Sequence, residues 1–279
     1  MAARLSIAVI GAGMGGLAAA AALRRAGIDV TVYEQARRFT RLGAGIQVGC
    51  NAMQVLRGLG LEQRMRHEAF CPRSWNNRDW RTGDVRHEQI FGRSAEEKYG
   101  APYLLAHRGD LHAALACAVP GEHIRLNRKV AGLDDKGDSV VLGFADGTTA
   151  VHDAVVAADG VHSLVKDLLF GGEQASFTGR IAYRTIFPTD LLGDACHPMT
   201  PYMAQGAAMA LEDAAVLSRL VAQADSRAGI ADAFRRLEAT RKPRTSKVQL
   251  TSRANTWLRN KTDVDWVYSY NPWTTPMAA

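Results

Sequence analysis

Apolar and polar positions change period several times along this chain, and each change marks an element. Residues 5–10 (LSIAVI) are a continuous apolar run rich in β-branched side chains, the pattern of a strand buried on both faces of a parallel sheet. The run GAGMGG follows at 11–16, and residues 17–26 (LAAAAALRRA) then predict a helix that Gly27 stops. Residues 29–33 (DVTVY) predict a second strand, ending at Glu34. Together they fit a βαβ unit of about thirty residues. Residues 51–66 predict one helix capped by Asn51, 78–91 a polar hairpin turning near Gly83 and Asp84, and 109–118 a helix with Asp110 near its start. Residues 138–143 and 148–152 flank Asp146 and Gly147, which predict a two-residue hairpin turn. Residues 154–158 (AVVAA) predict another buried strand, 180–187 (RIAYRTIF) a strand and 205–222 a helix. A further helix is expected over 231–241, kinked or restarted at Pro243. The final stretch, 271–279, reads as a loose tail.

Composition changes this picture little. A chain of 279 residues with 47% apolar and 22% charged side chains is an ordinary globular enzyme in kind, with room for one large domain or two modest ones. The formal charge of +6 is local, since nine basic residues between Arg235 and Lys261 face one acid, Glu238. That stretch also holds Leu237, Val248, Leu250, Trp257 and Leu258, so it reads as a solvated helix face, and no nucleic-acid recognition signature accompanies it. The four cysteines, Cys50, Cys71, Cys117 and Cys196, form neither a CxxC pair nor a disulfide framework, and no metal site is expected. Neither a signal-peptide pattern nor an apolar run of about 18 residues is present, so the expected location is cytoplasmic, without membrane attachment.

The chemistry begins at the glycine-rich turn. Gly11, Gly13 and Gly16 match GxGxxG between a strand and a helix, with Gly15 beside them. Such glycines allow a tight turn, the close approach of a pyrophosphate and close helix–strand packing, and the helix start offers N–H groups to phosphate. Glu34 stands 18 residues beyond Gly16, where an acid can accept both hydroxyls of a ribose. This set points to a dinucleotide and leaves NAD and FAD open. Two further motifs are ADGVHSLVK at 158–166 and GDACHP at 193–198. Alone, the first reads as a strand-to-helix turn and the second as a capped turn.

In order, these three motifs resemble the class A flavin-dependent aromatic hydroxylases, the family of salicylate and para-hydroxybenzoate hydroxylases. TRLGAGIQVG at 40–49, HRGDLH at 107–112, GDACHPM at 193–199, MAQGA at 203–207 and ANTWL at 254–258 are similar to the branch that acts on hydroxynicotinates. The resemblance implies FAD as cofactor, NADH or NADPH as reductant, and O2 with a small aromatic or N-heteroaromatic carboxylate as substrates, in a monomer or homodimer. It implies roles residue by residue. Gly15 and its neighbours meet the pyrophosphate, and Glu34 takes the adenosine ribose with Gln35 beside it. Arg108 reaches the phosphate or ribityl region, and Val130 touches adenine through its backbone. Asp159 belongs to the mid-chain motif and Asp194 binds the ribityl chain. Gln205, Gly206 and Ala207 open a helix whose N–H groups face the flavin's pyrimidine edge.

The chain departs from that family in places. Positions 47 and 202, histidines in the hydroxynicotinate branch, are Gln47 and Tyr202 here, and both are candidate catalytic positions. A histidine can take a proton from a phenol-like substrate near neutral pH; a glutamine cannot. Cys50 replaces a common proline. Only residues 188–192 separate the strand at 180–187 from GDACHP, where the family continues through a substrate-binding sheet. The gap is about 100 residues, close to a small domain. The seven steps from Phe187 to Asp194 span at most ~25 Å, which allows a return to the flavin but not a sheet on the way. The expected fold is therefore α/β, a Rossmann-like FAD-binding domain of the glutathione-reductase type with a truncated substrate-domain β-sheet. Residues 1–75, 100–178 and 191–270 would form the FAD-binding part, 76–99 and 179–190 the remnant of the sheet, and 271–279 the tail.

Overall fold

A computed structural model describes residues 5–40, 43–79, 81–171, 205–254 and 263–278. The strand predicted at 180–187 lies outside them. The first apolar run forms β1 (Ser6–Ile10), followed by α1 (Met14–Arg25) and β2 (Asp29–Tyr33). β1 is the centre of a parallel sheet, paired on one side with β2 and on the other with β11 (Ala154–Ala157). β7 (Ile124–Arg125) extends the sheet beyond β2.

Alternation along β1 divides the molecule into layers. Ile7 and Val9 point into the larger core, which α1, α5 (Arg108–Cys117) and α7 (Gly206–Val221) cover. Ala8 and Ile10 point the other way, into a smaller core with Tyr33, Val130, Leu142 and Phe144. That face is closed by an antiparallel sheet of β8 (Val130–Asp135), β9 (Val140–Phe144) and β10 (Thr149–His152). Ala18, Ala20, Ala21 and Ala22 of α1 are all buried. Alanine favours the helix and leaves little bulk between α1 and α7, so a Cβ on Gly15 would stand 3.2 Å from that of Ala210. β3 (Gly45–Val48) pairs with β6 (Leu104–His107), and β4 (Ser74–Arg78) with β5 (Val85–Ile90), the second pair flanked by α4 (Gly92–Tyr99).

Several expectations are corrected. The helix over 51–66 is two, α2 (Cys50–Gly58) and α3 (Glu62–Glu68), because Gly60 turns the chain at φ +78°. Gly49 occupies the cap position of α2, and Asn51 lies fully buried in its first turn. The hairpin at Asp146 and Gly147 closes through three residues rather than two: the Phe144 N–H donates to the Thr148 carbonyl, and Gly147 takes φ +82°. α1 starts earlier than predicted, at Met14. α6 (Leu164–Phe170) follows the mid-chain motif, and α8 (Arg227–Ala254) runs unbroken through Pro243. The basic face of α8 is not wholly solvated, since Arg241 is buried.

The C-terminal stretch is docked rather than loose. After α9 (Asp265–Tyr268), the Trp273 indole N–H donates to the Gln54 carbonyl at 3.1 Å. Arg219 donates to the carbonyls of Pro272 and Thr275, and the Ala278 N–H to the Thr240 hydroxyl. Gly58 makes room for the indole, which a Cβ there would meet at 2.1 Å. Among the described residues no helix is long and apolar enough to cross a membrane.

One buried contact sets a pH dependence. The Tyr33 hydroxyl and His152 Nε2 lie 2.9 Å apart in the smaller core. Burial pushes the imidazole below its ordinary value, against the opposing pull of Asp29 and Asp153. A histidine with a lowered folded-state value binds fewer protons than the unfolded chain, so its contribution is present above about pH 6.5 and lost as pH falls through that value. His152→Gln is therefore expected to flatten the loss of Tm between pH 7 and 5, and parallel Tm curves for variant and wild type would refute the assignment.

Candidate functional site

The turn from β1 into α1 is fixed from three sides. The Gly11 N–H donates to the Tyr33 carbonyl at 2.8 Å. The Ala12 N–H donates to Glu34 Oε2 at 2.8 Å, and His112 Nε2 donates to the Ala12 carbonyl at 2.8 Å. Glu34 Oε1 accepts from the Ala36 N–H, also at 2.8 Å. The carboxylate thus holds the turn and its own strand end, and each oxygen keeps a lone pair for a further donor. Gln35 beside it is exposed.

The glycines of the turn do different things. Gly11 has φ +98°, and a Cβ on it would come 2.4 Å from the Ala158 carbonyl oxygen. A Cβ on Gly16 would come 1.9 Å from the Gly11 carbonyl oxygen. The first lets the end of β11 pack against the turn, and the second lets the turn close on itself. Around Gly13, by contrast, a Cβ would meet nothing within 4 Å. No side chain caps α1, so its first N–H groups look into the same open space. The space is one end of a cavity of about 940 Å³ that begins at Gly13, Gly15, Gly160 and Gly206, between the starts of α1 and α7 and the end of β11, and continues along α8 past Phe234 and Arg241. Ala207 also lines it. The open backbone at Gly13, at an uncapped helix start, fits a pyrophosphate.

The remaining predicted positions are distributed around this cradle. Arg108 opens α5, is exposed, and lies over Gly43, whose φ of +136° and missing Cβ make way for it. Among the described residues Arg108 makes no ion pair. Val130 is buried at the start of β8, where the register with β9 shifts. Asp159 accepts from the Ser163 hydroxyl at 2.5 Å and from the Val165 N–H at 3.2 Å, and so shapes the turn into α6. Gln47 on β3 accepts a hydrogen bond from the buried Tyr103 hydroxyl. Tyr103 stacks on Phe91 with ring centroids 3.9 Å apart, and burial raises its hydroxyl well above the ordinary range, which keeps it a neutral donor. Asp194 and Tyr202 lie outside the described residues.

Sequence reading missed a buried polar cluster behind the start of α7. Glu212 is fully buried. It accepts from Arg244 Nε at 2.8 Å and Arg241 at 2.7 Å, and from Asn51 Nδ2 at 2.7 Å. Asn51 Nδ2 also donates to Gln205 Oε1 at 2.9 Å. Burial works against the charge of Arg241, but Glu212 and Asp213 outweigh it and hold the guanidinium above its ordinary value. The available signal was the pair Glu212 and Asp213 within the apolar run of α7, where a carboxylate must find a partner. His112 was equally legible only as part of a motif; its hold on the Ala12 carbonyl comes from the fold.

Comparison with known proteins agrees with this geometry. A family described as "FAD binding domain" matches residues 4–180. The 6-hydroxynicotinate 3-monooxygenase of Bordetella bronchiseptica is 34% identical over 373 residues, covering 97% of this chain and 96% of that protein. A 3-amino-4-hydroxybenzoate 2-monooxygenase of Streptomyces platensis is 31% identical, covering 90% and 87%. Among solved structures, Klebsiella pneumoniae HpxO complexed with FAD and uric acid superposes with a TM-score of 0.75 at 22% identity, covering 95% and 91%. A salicylate hydroxylase substrate complex gives 0.75 at 19%, covering 96% of both chains.

Proposed function

The chain belongs to the FAD-binding-domain family of flavin-dependent monooxygenases, and from that premise we propose that it binds FAD without a covalent link and descends from hydroxylases of aromatic or N-heteroaromatic carboxylates, with its substrate domain cut short. The observation that carries the cofactor reading is the open backbone at Gly13, held by Gly11, Gly16, Glu34 and His112. When bound, FAD reduced by NADH or NADPH supplies the electrons that activate O2 for insertion of one oxygen atom into an electron-rich ring. The chain's own groups bind and orient. The first N–H groups of α1 meet the pyrophosphate with Gly15 nearby, and Glu34 accepts the ribose hydroxyls with Gln35 alongside. Arg108 supplies positive charge toward the phosphates or ribityl chain, joined there by Asp194. Val130 offers backbone at the adenine, Asp159 shapes the adjoining turn, and Gln205, Gly206 and Ala207 present the start of α7 to the flavin.

The substrate class follows the printed activities of the relatives, a hydroxynicotinate and an aminohydroxybenzoate. We assign Gln47 and Tyr202 to the substrate by resemblance alone, and neither side chain is a base at neutral pH. Two observations support the truncation. The alignment with the Bordetella protein runs over 373 residues although this chain has 279, so the relative has positions that the chain lacks. Among the described residues β4 and β5 form a sheet of two strands only.

The cofactor reading predicts a yellow protein that releases its flavin on acid precipitation; colour that stays with the polypeptide contradicts the noncovalent site. Glu34→Gln keeps the size of the side chain but removes the charge that favours two ribose hydroxyls. It is expected to weaken FAD binding by about 1.5–3 kcal/mol, the scale of a charge-assisted hydrogen bond. Unchanged affinity in a flavin-fluorescence titration would exclude the ribose role.

A further inference from the structure

The peptide between Ala12 and Gly13 has little local restraint. Glycines stand on both sides of Ala12, and a glycine leaves its own backbone angles open. Two side chains distant in sequence supply the restraint instead. Glu34 Oε2 accepts from the Ala12 N–H and so sets the peptide before Ala12. His112, on α5, sets the peptide after it through the 2.8 Å contact with the Ala12 carbonyl. A carbonyl only accepts, so His112 Nε2 carries the hydrogen. The imidazole is itself packed by Phe39, edge to face, with ring centroids 5.0 Å apart.

Holding that carbonyl also sets a donor. Among the described residues no peptide bond is cis, and a planar trans peptide points its N–H opposite to its C=O. The carbonyl points to His112, so the N–H of the same peptide, which belongs to Gly13, points away from α5. Among the described residues that N–H has no acceptor, and Gly13 is exposed. Gly13 lines the cavity that it shares with Gly206, and no residue of α5 does. Ala12 is only 2% exposed, so water has no room to replace His112 at the carbonyl.

We propose that His112 is a positioning residue for the cofactor, turning the Gly13 N–H toward the pyrophosphate, an inference that rests on the cradle holding FAD. The imidazole aims a donor that it does not touch. Without it the peptide between the two glycines can rotate. The Ala12 carbonyl, which repels phosphate oxygens, then turns toward the space that the N–H now faces.

The test separates aim from packing. His112→Leu and His112→Ala both remove the donor, and only the first keeps bulk against Phe39. His112→Gln offers an amide N–H to the same carbonyl. The Tm of the flavin-free protein should be lowest for the alanine variant. FAD affinity should instead fall about 10-fold in the leucine and alanine variants alike, the low end for a hydrogen bond to a charged group, and stay within about 3-fold of wild type in the glutamine variant. In phosphorus NMR a pyrophosphate resonance of bound FAD should move in the leucine and alanine variants and return in the glutamine variant. Affinity that follows Tm, weakened by alanine but not by leucine, would reduce His112 to packing and overturn the proposal. So would pyrophosphate resonances unmoved by His112→Leu, or a glutamine variant that binds as weakly as the leucine one. In each of those cases FAD uptake by the wild type leaves the cofactor reading standing. A wild-type chain that takes up no FAD would overturn that reading, and the role of His112 with it.

Discussion

Gly16→Ala is expected to cost the flavin-free protein about 3 kcal/mol or more, whereas Gly13→Ala, three residues away, is expected to cost it nothing. The Cβ of the first would lie 1.9 Å from the Gly11 carbonyl oxygen, a backbone atom that cannot swing aside as a side-chain tip could. Overpacking of a well-packed site costs about 1–3 kcal/mol, and a rigid backbone clash belongs at or beyond the upper end. That corresponds to a fall in Tm of about 6–12 °C for a domain of 150–250 residues. The Gly13 Cβ meets no protein atom within 4 Å, and the backbone there, at φ −72° and ψ −179°, suits alanine. Its unfolded chain loses freedom, so the variant should be as stable as wild type or slightly more so. The same Cβ enters the space that the pyrophosphate needs, and FAD affinity is expected to fall about 10- to 100-fold, the loss of one or two hydrogen bonds to a charged group. Thermal unfolding without flavin and a flavin titration with each variant check the pair. A Gly13→Ala protein that binds FAD as wild type does would remove the pyrophosphate from this cradle.

The nucleotide-binding half was legible because its chemistry is local. A strand, a glycine turn, a helix and an acid within about thirty residues specify one another; β1, β2 and Glu34 stand where the pattern puts them, and α1 differs only in its earlier start at Met14. Boundaries were less legible where a single backbone angle decides. Nothing in the apolar spacing of 51–66 separates one helix from two, yet Gly60 at φ +78° ends α2 and lets α3 start afresh. The C-terminal stretch looked loose because its partners are distant in sequence, as with Trp273 and the Gln54 carbonyl. Asn51 was read as a cap because its type suits one, and only the tertiary contact with Glu212 and Gln205 reveals its other task. Long-range polar contacts of this kind leave no periodic trace.

The second large effect concerns chemistry. On the proposed reading the residues that hold FAD are present, while the substrate side of the site is cut short between Phe187 and Gly193. Productive oxygen transfer needs a site closed to water, since exclusion of water suppresses the side reaction that returns reducing equivalents as hydrogen peroxide. Gln47, held by Tyr103, offers no base to assist the substrate. Binding of flavin and hydroxylation should therefore separate in this chain. The measurement is the amount of hydroxylated product formed per NADH or NADPH oxidised by the FAD-loaded protein, with hydrogen peroxide counted in parallel, over a panel of hydroxylated aromatic and N-heteroaromatic carboxylates. Peroxide is expected to account for nearly all reducing equivalents consumed. Product matching the NADH or NADPH consumed, with little peroxide, would contradict a truncated substrate site.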